Sequence, residues 1–150
     1  MTQFPDDFRD FLEALNTHRV RYLVAGGFAL AAHGHPRYTK DLDIWVEVSE
    51  DNAANLLAAL NDFGMGSLGL SVADFMTENL VIQLGYEPNR IDLLTGLSGV
   101  SFDEAYPRRV LASLADVETS VLDVETFKVN KRATGRPRDL ADIEELGDTE

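Results

Sequence analysis

The order of periodic segments predicts an α+β protein, with a small mixed β-sheet flanked by helices. Helix-like and strand-like stretches follow one another as helix, strand, helix, strand, helix, hairpin and further helices. Residues 41–48 alternate as a strand does, with Leu42, Ile44, Val46 and Val48 on one face and Asp41, Asp43, Trp45 and Glu47 on the other. Two apolar runs, 80–84 and 90–94, flank Gly85-Tyr86-Glu87-Pro88-Asn89 and read as a hairpin. A chain of 150 residues suits one domain with one core, so residues 1–150 are expected to form a single unit.

Each element has a local cause. Phe4, Phe8, Phe11, Leu12 and Leu15 recur at helical spacing, with Asp6 and Asp7 suitably placed in a first turn. Residues 19–25 have the aromatic and β-branched content of a short strand, broken by Gly26-Gly27. Residues 28–33 form a short apolar helix stopped by Gly34 and Pro36. Ser49 is placed to cap a helix over about 50–63, with Leu56, Leu57 and Leu60 on its apolar side. Gly64, Gly66 and Gly69 suggest a connector, and they lack the spacing and lysine of a P-loop. Residues 102–106 make one helical turn, 110–124 one or two strands, and 126–133 a basic helix ending near Gly135. Pro137 starts a last helix with Leu140, Ile143 and Leu146 facing inward.

The composition narrows the function. The chain has no cysteine, so any metal must be held by oxygen or imidazole. A formal net charge of −13 repels nucleic acids and anionic membranes at long range, which disfavours an RNA acceptor and membrane binding. With no signal-like N-terminus and no apolar stretch of spanning length, the expectation is a soluble cytoplasmic protein.

The segment Tyr22-Leu23-Val24-Ala25-Gly26-Gly27, followed by Asp41-Leu42-Asp43-Ile44, is the most informative. Strand geometry puts Asp41 and Asp43 on one face, about 7 Å apart. Such like charges need a cation nearby. Magnesium fits, with manganese as the alternative, because it takes carboxylate oxygen and binds jointly to substrate phosphates. Asp92 sits between Ile91 and Leu93 and needs a partner too. If its strand adjoins the Asp43 strand, three carboxylates meet, a set suited to in-line displacement at phosphorus. Side-chain-free Gly26 and Gly27 allow backbone to approach a phosphate ahead of a helix N-terminus. Singly, a Gly-Gly turn or an Asp-x-Asp strand is ordinary; in this order and spacing they reinforce each other.

This pattern resembles the nucleotidyltransferase superfamily with the polymerase β-like fold. More closely, residues 22–46 (YLVAGGFALAAHGHPRYTKDLDIWV), 81–95 (VIQLGYEPNRIDLLT) and 131–146 (KRATGRPRDLADIEEL) resemble small bacterial AbiEii-type toxin nucleotidyltransferases. The resemblance implies that Asp41 and Asp43 ligate metal, that Asp92 completes the catalytic site, and that Gly26 and Gly27 contact the triphosphate of a bound NTP. Many superfamily members carry Gly-Ser in place of Gly-Gly, so one hydroxyl contact to phosphate is missing here. The reaction implied is transfer of a nucleoside monophosphate to a hydroxyl on RNA, protein or a small molecule, with release of pyrophosphate. The alternative is a catalytically weak or inactive binding module, acting as a toxin–antitoxin or regulatory partner. Little chain is left over to recognise an acceptor, so a protein partner or homodimer is expected to contribute.

Other candidates have two readings each. Lys131 and Arg132, with Lys128 one turn away, either clamp phosphate or form a solvated face paired with Asp139 and Asp142. Lys40 and Arg37 either reach the nucleotide or lie on an exposed loop. Arg90, Arg136 and Arg138 suit structural ion pairs, Arg90 with Asp92. His33 and His35 suit helix termination better than metal ligation, and Trp45 either stacks on a base or closes the core.

Overall fold

The computed structural model describes residues 6–34, 41–66, 69–85, 89–137, 140, 141 and 144. In chain order the elements are α1 (Asp6–Thr17), β1 (Tyr22–Ala25), α2 (Gly26–Ala32), β2 (Leu42–Val46), α3 (Glu50–Asp62) and α4 (Val72–Phe75). They are followed by β3 (Val81–Leu84), β4 (Ile91–Leu94), α5 (Phe102–Ala105), a 3-10 turn (Tyr106–Arg108), β5 (Val110–Leu114), β6 (Val117–Val121) and α6 (Val124–Thr134). The six strands form one sheet in the order β3-β4-β2-β1-β6-β5. β1–β2, β3–β4 and β5–β6 are antiparallel, whereas β2–β4 and β1–β6 are parallel. The fold is thus α+β with a mixed sheet flanked by helices.

Cross-strand register assigns the two faces. Tyr22 opposes Val46, and Val24 opposes Ile44, which in turn opposes Leu93. This face is fully apolar and buried. Toward it α1 contributes Phe8, Phe11, Leu12 and Leu15, and α3 contributes Ala53, Leu56 and Leu60, all buried. Phe11 meets Phe63 edge-on at 5.1 Å, closing the α1–α3 seam. On the opposite face Ala25 opposes Asp43, Asp43 opposes Asp92, and Trp45 opposes Leu94. There Trp45 is buried beneath Phe102, with centroids 5.1 Å apart, and Phe102 stacks on Tyr106. Trp45 therefore closes the core, and the base-stacking role does not hold for it.

Several boundaries differ from the sequence reading. β1 starts at Tyr22 because Arg19 takes a left-handed φ of 57° to leave α1. β2 ends at Val46, and the Glu47 carbonyl accepts from the Asn52 side chain at 2.9 Å. α2 begins at Gly26 itself, so the glycines form its first turn. α6 begins at Val124, where Asp123 Oδ2 accepts from the Thr126 N–H at 3.2 Å. α4 was not foreseen, although Ser71-Val72-Ala73-Asp74 is a capping pattern, with the Ser71 N–H donating to Asp74 Oδ2 at 2.7 Å. Pro137, Leu140, Ala141 and Glu144 are helical, while Ile143 and Leu146 lie outside the described residues. Leu140 is 48% exposed and does not face inward; no neighbouring described element covers it.

Ser49 caps α3 as expected, accepting from the Asn52 N–H at 3.2 Å. Asn52 does more than the hydrophobic pattern shows. Its Oδ1 accepts from the Arg21 N–H at 2.7 Å, and its Nδ2 donates to the carbonyls of Arg21 and Glu47 at 3.1 and 2.9 Å. One buried amide thus ties α3 to the ends of β1 and β2. Replacing it with leucine takes the amide partner from the Arg21 N–H and the Glu47 carbonyl, while the Arg21 carbonyl keeps the Glu47 N–H at 3.2 Å. In urea titrations Asn52→Leu is expected to lose about 2–4 kcal/mol, and Ser49→Ala about 1 kcal/mol. Equal losses would mean that Asn52 is only a packing residue.

Candidate active site

The β2–β4 pairing builds the site. Because the strands are parallel and in register, Asp43 lies directly opposite Asp92. Neighbouring strands lie about 4.7–4.9 Å apart, so side chains opposed on one face are close neighbours. The adjacency that periodicity could not supply is therefore present. Asp41 precedes the first paired residue of β2, one step outside the regular strand.

Asp43 lies under the β1–α2 junction. Gly26 has φ +65°, and a Cβ on it would collide with Asp43 Oδ2 and come within 3.2 Å of Asp43 Cγ. The glycine is needed both for its backbone and for the space the carboxylate fills. This gives Gly26 a reason that the sequence reading did not contain: it makes room for Asp43, in addition to any approach of phosphate. Gly27 follows it in the first turn of α2.

Asp43 carries the electrostatic strain. Its pKa is pushed up from 3.8 to about 6, chiefly by burial, then by the charge of Asp92, with a smaller push from Asp41. Lys131 opposes the rise more than Arg90 does. α6 therefore brings the Lys131 ammonium within electrostatic range of the carboxylates, while Nζ also lies 5.3 Å from the centroid of the Phe127 ring. Arg132 is exposed on the same helix. Lys128 is buried, with Nζ 3.9 Å from Glu125 Oε2.

Arg90 dominates the other two carboxylates. Its Nε donates to Asp92 Oδ1 at 2.8 Å and its NH2 group to Asp92 Oδ2 at 3.2 Å. The same NH2 group donates to Asp41 Oδ2 at 3.1 Å. The foreseen pair with Asp92 is there, extended to Asp41. His33 Nε2 donates to the Leu122 carbonyl at 2.7 Å, a structural role. Lys40, Arg37, His35, Arg138, Asp139 and Asp142 lie outside the described residues.

Whether these residues suit a metal can be judged from the donors. Hard carboxylate oxygens on adjacent strands, one of them with its pKa raised by burial and then by the charge of Asp92, match a hard divalent cation. Their present arrangement does not enclose one. Among the described residues no group of three acidic or imidazole side chains is set to hold a metal ion, and a guanidinium spans Asp41 and Asp92. The donor chemistry fits a divalent cation, and the described side chains do not by themselves enclose one.

Comparison with known proteins supports the architecture. No family profile matches, and no curated protein matches. Among solved structures, a Thermotoga maritima protein (TM1012), provisionally termed a nucleotidyltransferase, superposes with a TM-score of 0.57 at 14% identity, over 93% of this chain and 87% of its own. At that identity the likeness concerns the fold. The chain shares the fold of that protein, and the narrower AbiEii-type resemblance gains no support from it. Among the described residues no helix is long and apolar enough to cross a membrane.

Two measurements test the site. A carboxylate whose folded pKa exceeds its unfolded value destabilises the fold once ionised, and that penalty is absent below the unfolded pKa. In metal-free buffer, Asp43→Asn is expected to exceed wild type in stability by about 1–3 kcal/mol at pH 7.5. The advantage should fade as pH falls through about 6 and be gone near 4, bracketing the shift from 3.8 to about 6. A pH-independent difference would remove the electrostatic account. Gly26→Ala, forced into a left-handed φ against Asp43, is expected to cost about 2–4 kcal/mol in chemical denaturation.

Proposed function

We propose that this protein transfers a nucleoside monophosphate from an NTP to an acceptor hydroxyl. The observation that carries the reading is the pairing of Asp43 with Asp92 across β2 and β4, beneath Gly26. The nucleotidyltransferase-type fold of TM1012 supports it. Asp41, Asp43 and Asp92 would hold magnesium or manganese, which would supply Lewis-acid stabilisation of charge at the α-phosphate and lower the pKa of the acceptor hydroxyl.

The chain's own groups have separate tasks. Gly26 and Gly27 leave backbone open to the triphosphate at the start of α2. Asp92, opposite Asp43, would hold the metal nearest the acceptor and would receive the acceptor's proton as the acceptor oxygen bonds to the α-phosphorus. The bond from that phosphorus to the pyrophosphate oxygen breaks, and pyrophosphate leaves with the electron pair. Lys131, near Asp43, offsets charge on the departing group. Lys40 and Arg132 are assigned to nucleotide binding as well, Lys40 from its place just before Asp41. The acceptor is a hydroxyl on a protein, a small molecule or RNA, the last disfavoured by the acidic surface. A protein partner or second copy would complete acceptor recognition. The setting proposed is cytoplasmic, and the resemblance to AbiEii-type proteins suggests a toxin–antitoxin role.

One observation favours a second reading. Arg90 engages both oxygens of Asp92, as a structural ion pair does, which suits a weak or inactive binding module that serves as a regulatory partner. Incubation with magnesium, labelled NTPs and cell-extract acceptors separates the two. The transferase reading expects label transfer with pyrophosphate release, reduced at least about 100-fold in Asp43→Ala. Calorimetric binding of magnesium–NTP without any turnover would instead support the module.

A further inference from the structure

We propose that Arg90 is a displaceable counter-ion, seated on the metal carboxylates until a divalent cation takes them over. The inference rests on the reading of Asp41, Asp43 and Asp92 as a metal site, and it concerns how that site loads. The guanidinium grips Asp92 through both carboxylate oxygens, at 2.8 and 3.2 Å, and reaches Asp41 at 3.1 Å with the same NH2 group. A planar fork matched to a carboxylate in this way takes one acceptor site on each oxygen and supplies positive charge where a metal would supply it. The described residues accordingly contain the donors of a metal site without a three-ligand cage.

Position and burial reinforce the point. Arg90 lies two residues before Asp92, and its carbonyl accepts from the Leu42 N–H at 3.0 Å, so its backbone is anchored beside the carboxylates. Its side chain is 24% exposed, against 12% for Asp92 and 27% for Asp41. It is thus sheltered enough to neutralise them and open enough toward solvent to swing away. A divalent cation bound at Asp92 would lie beside the guanidinium, and the repulsion between the two positive charges would loosen the Arg90 contacts. Loading is therefore an exchange of one positive charge for two, and Arg90 sets the threshold of metal concentration at which it occurs.

Manganese alone, without nucleotide, is the probe. Calorimetry at pH 7.5 compares wild type with Arg90→Gln and Arg90→Lys. Removing the competing charge is expected to tighten manganese binding about three- to tenfold in Arg90→Gln. Lysine keeps the charge but cannot hold both oxygens of Asp92, so Arg90→Lys is expected between wild type and Arg90→Gln; it also decides the matter should the glutamine variant not fold. Magnesium added to the wild type is expected to shift the Arg90 Nε–H resonance, assigned by its loss in Arg90→Lys. Binding to wild type that is equal or weaker in the folded variants overturns the counter-ion and makes Arg90 a positioning residue for Asp92. No divalent-ion binding to any of the three overturns the inference together with the metal-site reading.

Discussion

The parallel pairing of β2 with β4 sets the terms for the rest of the molecule. It is formed by apolar residues that face α1 and α3, and it carries Asp43 and Asp92 on the other face as a consequence. Burial and the neighbouring charge of Asp92 raise the affinity of Asp43 for a proton, and the paired carboxylates draw cations. Around them the fold supplies a guanidinium on one side, an ammonium on α6, and a glycine that leaves space for a carboxylate oxygen. Each is an answer to the same excess of negative charge.

The apolar and polar tasks are divided between the two faces. On the helix-packed face Asn52 is a buried polar residue, and it is fully used by three backbone partners at 2.7–3.1 Å. Tyr22, whose hydroxyl donates to Asn16 at 2.9 Å, links β1 to α1, and burial pushes its pKa up to about 12. These contacts hold the sheet rigid where no chemistry is expected. On the opposite face the Trp45–Phe102–Tyr106 stack seals one end of β2, while the aspartate end stays half-buried. Desolvation at Asp43 follows from that partial cover, and it makes an ionised carboxylate there responsive to any cation that arrives.

Where sequence reasoning failed, the cause was a side chain acting through space. β2 stops early as Asn52, six residues beyond its end, takes the next carbonyl. For Trp45 the reading that it closes the core holds, but the residue that buries it, Phe102 more than fifty positions away, could not be read from local pattern. Leu140 had the spacing of an inward residue and is exposed, since periodicity marks a helix face without saying what lies against it.

By itself the sequence determined the α+β class, the caps at Ser49 and Gly135, the hairpin of β3 and β4, and the strand that carries Asp43, while Asp41 falls one step before it. These depend on local rules: periodicity, capping chemistry and backbone preferences act over a few residues. Only the tertiary structure decided that Asp92 faces Asp43, that Gly26 makes room for a carboxylate, and that Arg90 spans Asp41 and Asp92. Those facts join segments about fifty residues apart or more in the case of the strands, or depend on the packing of a helix start against a neighbouring strand. Strand order and register are set by the whole apolar core, which no single segment encodes.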